Sequence, residues 1–353
     1  MAERNVTIDI AKGIGITLMV VGHTYCPTIL CNFIYLFHMP LFFFISGYLS
    51  FKLVGNDNNA TTIINKIKRL YIPYFSFSLV LLILHNLLYR IHLEPVEYNL
   101  NNILIKTIEL PFMLGTDPLI AGYWFLGCLS YIILFVSLLN VLLGKLENKT
   151  KVVIMALLTV FVFEIVFVIR KWSFVHTEPY NFITCNLITV LSSSFFFIAG
   201  TFAKIWRFNI YLRPVWILLG CLFLLVVSYF HPIYRPYDMV DYSILVFITG
   251  IVGTLCTLSI SKSICGIMAK ILSFLGQHTL FILSWHLLCF KILPFAKILM
   301  DGGRTYDLLE EYPVPLSLCA DGGWILFSVI GVMVPVISLL IYRRLNYNRV
   351  NAI

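Results

Sequence analysis

The sequence predicts an all-α, polytopic membrane protein, a bundle of about ten transmembrane helices. Of its 353 residues, 60% are hydrophobic and only 12% are charged, whereas a soluble domain carries roughly 25% charged residues. A chain this apolar cannot hide its side chains in one core, so lipid must be its solvent, and only helices or closed barrels satisfy their backbone there. The apolar runs are continuous and lack the alternation of barrel strands, which indicates helices.

Ten apolar runs give the predicted spans, and no soluble domain or internal repeat separates them. We therefore expect residues 1–353 to form a single integral membrane domain. The first run is not followed by a small-residue cleavage site, so the first helix is expected to be retained. The predicted spans lie near residues 13–30, 36–51, 70–89, 121–143, 152–169, 189–205, 214–230, 241–260, 272–293 and 323–342.

Lysine and arginine residues are distributed unevenly over the predicted loops. Loops on one side of the membrane carry 17 of these residues, and loops on the other side carry 8. Because the more positive side is cytoplasmic, we expect a multi-pass protein of the cell membrane with both termini in the cytoplasm. The same distribution accounts for the net charge of +8. Membrane lipid is therefore an expected partner, and nucleic acid is not.

The first predicted span carries three ionisable side chains, Asp9, Lys12 and His23. Such groups are costly inside a membrane and usually functional. Lys12 and His23 are about three helical turns apart, so they share one face at a separation of about 16 Å, with Asp9 near the same stripe. Lys12 can reach the interface by snorkelling, but His23 needs a partner, a water-filled cavity or a substrate. The alternative is a buried histidine that is hydrogen-bonded to a neighbouring helix.

The second predicted span adds His38, which a short loop places near the depth of His23. Two histidines at one level, beside aromatic residues, are typical of a site. Ser46 and Gly47 are small and would let a neighbouring helix approach closely. The phenylalanines at 42–44 are expected to pack against lipid or other helices.

Later spans carry further candidate residues near their ends. Lys68 and Arg69 lie where the third span begins, and they either hold a phosphate or simply mark topology. Trp124 opens the fourth span, where aromatic residues are common at the interface for structural reasons alone. In the ninth span, His286 lies deep in the apolar run and joins the intramembrane set.

The nine cysteines include no CxxC pair. Cys26 and Cys31 fall in the first outer loop, where they would form a disulfide if that loop faces an oxidising space. The alternative is that both are ordinary apolar packing residues.

Together these motifs resemble the acyltransferase-3 family of integral membrane acyltransferases, and within it the branch similar to fucose 4-O-acetylases. The family's hallmark in the first helix is a basic residue, ten intervening residues and a histidine, matched here by Lys12 and His23. The resemblance covers nearly the whole chain. One departure is the segment at 281–284, which reads FILS where the family often has Ile-Tyr-Leu. The other matching motifs are FHMPLFFFISGY at 37–48, KRLYIPY at 68–74, YWFL at 123–126 and GQHTLFILSWH at 276–286.

The resemblance implies acyl transfer from acyl-CoA, usually acetyl-CoA, to a hydroxyl of a sugar or cell-surface glycan, free or lipid-linked. Acetyl-CoA is then the donor substrate, with no permanently bound cofactor and no metal. His23 is the expected general base, or the transient carrier of the acyl group, because histidine titrates near neutral pH. His38 and His286 are the other catalytic candidates, which would orient His23 or stabilise charge on the carbonyl oxygen.

The resemblance also implies separate groups for donor and acceptor. Arg69, with Lys68 and Lys12, is expected to bind the phosphates of CoA. Trp124, Asp9 and Ser46 are the substrate-binding candidates. Asp9 and Lys12 are expected to pair with each other or with CoA rather than to take part in the chemistry.

Three other interpretations fit the same residues. The first is a transporter or flippase for a lipid-linked saccharide, since intramembrane polar residues also mark transport paths. The second is a non-catalytic membrane partner that keeps the fold of an acyltransferase. The third is a structural protein whose polar groups are merely packed.

Overall fold

The structure, a computed structural model, describes residues 5–55, 60–112, 118–172, 178–230, 243–303 and 305–350. Every regular element in these ranges is helical, and they contain no strand. The all-α class is therefore confirmed for the part of the chain that is described.

Fifteen α-helices and five short 3-10 helices follow one another along the described ranges. The α-helices are α1 (Val6–Gly22), α2 (Thr28–Tyr35), α3 (His38–Leu49), α4 (Ala60–Arg90), α5 (Leu100–Glu109), α6 (Trp124–Leu142), α7 (Asn148–Trp172), α8 (Glu178–Ile205), α9 (Pro214–Phe230), α10 (Ser243–Ser263), α11 (Gly266–Gln277), α12 (Thr279–Phe290), α13 (Ile292–Met300), α14 (Leu316–Cys319) and α15 (Gly323–Val350). The 3-10 helices are Phe51–Leu53, Leu110–Phe112, Pro118–Tyr123, Tyr306–Leu309 and Ala320–Gly322.

Eight helical stretches within the described ranges are long and apolar enough to cross a membrane. Each overlaps one of the predicted spans. The two other predicted spans, near 13–30 and 214–230, correspond to α1 and α9, which have 17 residues each. A polytopic helix bundle is thus confirmed, while the orientation of the termini stays a prediction. The eight stretches are Thr28–Leu49, Ala60–Arg90, Trp124–Leu142, Asn148–Ile169, Thr184–Ile205, Ile244–Ser263, Thr279–Met300 and Leu316–Leu345.

The first helix begins and ends earlier than predicted. At its start, the Asn5 side chain accepts a hydrogen bond from the Ile8 amide at 3.3 Å and caps the helix. At its end, Gly22 is the last helical residue, and the left-handed backbone of Tyr25 (φ 50°) stops further propagation. The predicted span at 13–30 was therefore wrong in its bounds, because residues 28–30 already belong to α2.

Contacts group the chain into two compact units. The first unit comprises the described residues within 1–31, 83–99 and 264–353, and the second unit those within 32–82 and 100–263. The prediction of a single integral membrane domain stays a prediction.

In the first unit, α1 packs against α11, α12 and α15. Glycines let α1 and α11 touch through their backbones. A Cβ added to Gly13 would lie 2.0 Å from the carbonyl oxygen of Leu272, and one added to Gly276 would lie 1.8 Å from that of Asp9. No side chain fits between the helices at these two points, so their spacing depends on glycine.

The second unit is built around α8, which packs against α3, α6 and α7, while α10 packs against α3 and α9. A Cβ added to Gly47 would lie 1.8 Å from the carbonyl oxygen of Phe197. The expectation that Gly47 lets a neighbouring helix approach closely is confirmed, and the neighbour is α8.

The predicted ninth span is divided into three helices, α11, α12 and α13. His278 forms the first joint, as the residue that ends α11 and precedes α12. Lys291 forms the second joint, between α12 and α13. Both joints place a polar side chain inside what the sequence shows as one apolar run.

Candidate functional site

Two histidines from distant parts of the chain meet in the first unit. His23 directly follows the last residue of α1, and His286 lies on α12. Their ring centroids are 5.5 Å apart, and the ring planes are tilted by 39°. The structure thus brings together two of the three histidines that were predicted to be catalytic.

His286 is completely buried, and one hydrogen bond fixes its protonation pattern. Its Nδ1 lies 2.9 Å from the carbonyl oxygen of Leu283. A carbonyl oxygen only accepts, so Nδ1 carries the hydrogen and Nε2 of the neutral ring holds a lone pair. Nε2 is buried and has no hydrogen-bond partner among the described residues. Leaving such a group unpaired costs roughly 1–3 kcal/mol. This cost indicates that Nε2 accepts a hydrogen bond from a ligand or water.

His23 is less enclosed than His286, with a partly exposed side chain. Within the described ranges, no hydrogen bond to a neighbouring helix holds its ring. The alternative of a histidine tied to another helix is therefore not what the structure shows. The imidazole remains available to a substrate.

Contacts among three helices hold this pair in place. The hydroxyl of Thr24, next to His23, lies 3.2 Å from that of Ser328 on α15. On the same helix, Gly331 makes room for neighbouring helices, because a Cβ there would lie 2.5 Å from the ring of Phe290 and 2.8 Å from Val20. The end of α1, α12 and α15 are thereby fixed against one another.

Asp9 and Lys12 form the ion pair that was expected on the first helix. Lys12 Nζ lies 3.4 Å from Asp9 Oδ1, and Asp9 is buried while Lys12 is partly exposed. Their roles in binding CoA or substrate stay predictions.

His38, Ser46 and Trp124 all belong to the second unit. His38 is buried, and its Nδ1 lies 2.9 Å from the carbonyl oxygen of Ile34, so that nitrogen also carries a hydrogen. The Ser46 hydroxyl donates to the Phe42 carbonyl of its own helix at 2.7 Å. Because His38 and His23 belong to different units, the predicted cooperation of these two histidines stays a prediction.

Trp124 begins α6, as the sequence predicted for the fourth span. Its ring centroid is 6.3 Å from that of Phe43, which also lies 5.0 Å from the ring of Phe125. This aromatic packing explains the position of Trp124 without a ligand, so its role at the acceptor stays a prediction.

Lys68 and Arg69 lie on α4, about two turns after its start rather than at its first residue. Both side chains are exposed. Neither has an ion-pair partner in the part of the chain that the structure describes, so both are free to meet an anion.

Sequence reasoning missed Lys291. Its side chain is buried, and Nζ donates to the carbonyl oxygens of Leu309 at 2.6 Å and Glu311 at 2.9 Å. It therefore anchors the segment that follows α13. The available signal was a lone lysine inside an apolar run, which is costly and seldom accidental.

Comparison with known proteins identifies a family for this chain. A sequence model described as an acyltransferase domain, that of the acyltransferase-3 family, matches residues 5–343. No curated protein and no solved structure matches the chain. The matched range includes every predicted site residue.

Proposed function

Because the chain belongs to the acyltransferase-3 family of membrane acyltransferases, we propose that it moves an acetyl group from acetyl-CoA to a hydroxyl of a sugar or cell-surface glycan. The resemblance to the fucose 4-O-acetylase branch supports a sugar hydroxyl as the acceptor. The observation that carries the proposal is the approach of His23 to the fully buried His286, whose Nε2 has no partner among the described residues.

The proposed reaction needs one base. A sugar hydroxyl is a poor nucleophile, so His23 removes its proton as the oxygen attacks the carbonyl carbon of the thioester. A carbon–oxygen ester bond forms and the carbon–sulfur bond breaks. The proton returns from the imidazolium to the departing thiolate, which leaves as free CoA. The alternative, in which His23 first carries the acetyl group, uses the same residue.

His286 supports this reaction as a hydrogen-bond acceptor. Its Nδ1–H is committed to Leu283, so its free lone pair suits the N–H of His23 or the hydroxyl of the acceptor. A neutral ring of this kind has no hydrogen left for an oxyanion. The geometry therefore favours an orienting role for His286 over stabilisation of the carbonyl oxygen.

Other residues are assigned to the two substrates. The anionic CoA would bind from the cytoplasm through Arg69, Lys68 and Lys12, which fits the exposure of the first two. For the acceptor, free or lipid-linked, the proposed contacts are Trp124, Ser46 and Asp9. His38 is the third proposed catalytic histidine. The proposal requires the protein to lie in the cell membrane with both termini in the cytoplasm.

The test is acetyl transfer by the purified protein in lipid nanodiscs, with radiolabelled acetyl-CoA and glycan prepared from cells that lack the gene. His23→Ala should lower the transfer rate by about 100- to 10,000-fold, the usual contribution of a general base, without lowering the unfolding temperature. His92→Ala is the matched control, because His92 is a half-exposed histidine paired with Glu310 at 3.0 Å. It should keep its activity.

Full activity of His23→Ala would remove His23 from the chemistry. Movement of a lipid-linked saccharide across the membrane in the absence of acetyl-CoA would instead indicate a transporter. Mass spectrometry of glycan from cells with and without the gene would then identify the acceptor by its acetyl group.

A further inference from the structure

A second histidine of the first unit is fixed in one tautomer. His278, at the joint of α11 and α12, has Nδ1 at 2.8 Å from the carbonyl oxygen of Phe274 and Nε2 at 2.8 Å from Nη2 of Arg343. A carbonyl only accepts and a guanidinium only donates. The ring must therefore carry its hydrogen on Nδ1 and accept with Nε2, so it is neutral in this arrangement.

Arg343 consequently keeps its full charge. Its partner is a neutral imidazole rather than a carboxylate, and no carboxylate pairs with it among the described residues. The side chain is exposed. A guanidinium has five N–H donors in a planar fork, and one bond to His278 leaves the others available. Within the described residues, Arg343 is thus a cation fixed by His278 and without a counter-ion.

Three elements of the first unit meet near this cation. Gly276, two residues before His278, touches the backbone of Asp9, so the start of α1, the α11–α12 joint and the last part of α15 meet here. The carboxylate of Asp9 faces Lys12 at 3.4 Å. Arg344 follows Arg343 and is exposed. A guanidinium fork can donate two parallel hydrogen bonds to the oxygens of a phosphate group.

We propose that Arg343 binds a phosphate group at this end of the first unit, with His278 as its positioning residue. The inference rests on the proposed function for its ligand, since acyl-CoA carries several phosphates on the side of the membrane where α15 is predicted to end. The phosphate headgroup of an anionic lipid has the same chemistry. The experiment separates these two sources.

The binding test uses the full chain in phosphatidylcholine nanodiscs with coenzyme A as the probe and calorimetry as the readout. Arg343→Gln should weaken CoA binding by about tenfold, which corresponds to about 1.4 kcal/mol. Pantetheine, which has no phosphate, should bind the variant and the original protein equally. Arg344→Gln is the matched control, since it removes the same charge from the neighbouring exposed residue and should change little.

The role of His278 is tested by rescue and by non-additivity. His278→Leu should weaken CoA binding nearly as much as Arg343→Gln, whereas His278→Gln keeps an acceptor and should recover part of the affinity. The double variant that combines His278→Leu with Arg343→Gln should bind CoA no more weakly than Arg343→Gln alone, because both changes disable the same hydrogen-bonded pair. Additive losses would remove His278 from this role.

A second measurement, of bound lipid, decides whether the phosphate belongs to CoA or to a lipid headgroup. If CoA binding is unchanged but Arg343→Gln loses phosphatidylglycerol that the original protein retains in native mass spectrometry, the ligand is a lipid headgroup. The site is overturned if neither ligand responds, or if Arg344→Gln has the same effect as Arg343→Gln. Since binding is measured without an acceptor, loss of acetyl transfer with intact Arg343-dependent CoA binding would reject only the proposed function.

Discussion

At the residue scale, the informative feature is a hydrogen bond that is missing. His286 is fully buried, and its Nε2 is left without a partner in the described part of the chain. A buried polar atom without a partner is unfavourable for stability. The ring of Phe290 packs against the imidazole, with the two ring centroids 5.7 Å apart. A merely structural position would be better filled by leucine, so the histidine is best explained by chemistry.

Replacing His286 by leucine should therefore separate stability from activity. His286→Leu should unfold at the same or a higher temperature, because an unpaired nitrogen is replaced by apolar atoms of similar volume. Acetyl transfer should fall by roughly 100-fold or more, since the hydrogen-bond acceptor that His286 places beside His23 is lost. Thermal unfolding and the transfer assay, on the same nanodisc preparation, measure the two quantities.

Phe290→Leu is the control for that prediction. Phe290 packs against the same imidazole and is itself fully buried, so its truncation should lower the unfolding temperature while much of the activity remains. If His286→Leu keeps wild-type activity, the buried histidine is a packing residue and the paired-histidine site is rejected.

At the element scale, the spacing of α1 and α11 depends on backbone contact. Gly276→Ala should force the two helices apart, because the new Cβ would lie 1.8 Å from the carbonyl oxygen of Asp9. Overpacking of this kind costs typically about 1–3 kcal/mol, and more where backbone is the obstacle. The unfolding temperature should drop, and CoA binding should weaken because Lys12 moves with α1.

Gly55→Ala supplies the comparison, since the nearest atoms to its new Cβ lie at an ordinary 3.7 Å. It should leave the unfolding temperature unchanged. Equal stability of Gly276→Ala and the original protein would show that α1 and α11 can separate without loss, contrary to the packing described.

The same scale shows why hydropathy located helices but not their joints. The apolar run near 272–293 is continuous in composition, whereas the breaks at His278 and Lys291 depend on contacts with distant residues. Arg343 donates a hydrogen bond to His278 at the first joint, and the carbonyl oxygen of Leu309 accepts one from Lys291 at the second. A window of hydrophobicity does not report such long-range partners, so the breaks inside the span predicted near 272–293 were not predicted.

The candidate site was predicted in identity but only partly in arrangement. Spacing and the family resemblance singled out His23 and His286, and the structure places their rings together. The tautomer of His286 could not be predicted from the sequence, because it depends on a hydrogen bond to the backbone carbonyl of Leu283, one turn earlier. The start of α1 was also missed, since the polar residues Asp9 and Lys12 shift an apolar window toward later residues although Asn5 caps the helix.

At the scale of the whole molecule, the proposed reaction requires a defined orientation in the membrane. Acyl-CoA is made in the cytoplasm, so the basic residues that are proposed to hold it must lie on that side. The distribution of lysine and arginine predicts the same orientation by an independent rule. Exposed residues near the ends of helices allow a direct check.

Cysteines introduced on the two predicted sides of the membrane should therefore react with a reagent applied from opposite sides of the membrane. The background is Cys265→Ala, because Cys265 is the cysteine with an exposed side chain among the described ones. Lys149→Cys, in a predicted cytoplasmic loop, should react with a membrane-impermeant maleimide only after the cells are permeabilised. Met300→Cys, at the exposed end of α13, should react in intact cells; the side chain is 82% exposed. The reverse pattern would place the proposed donor residues on the side without acyl-CoA, and the assignment of Arg69 and Lys68 would then fail even if acetyl transfer were found.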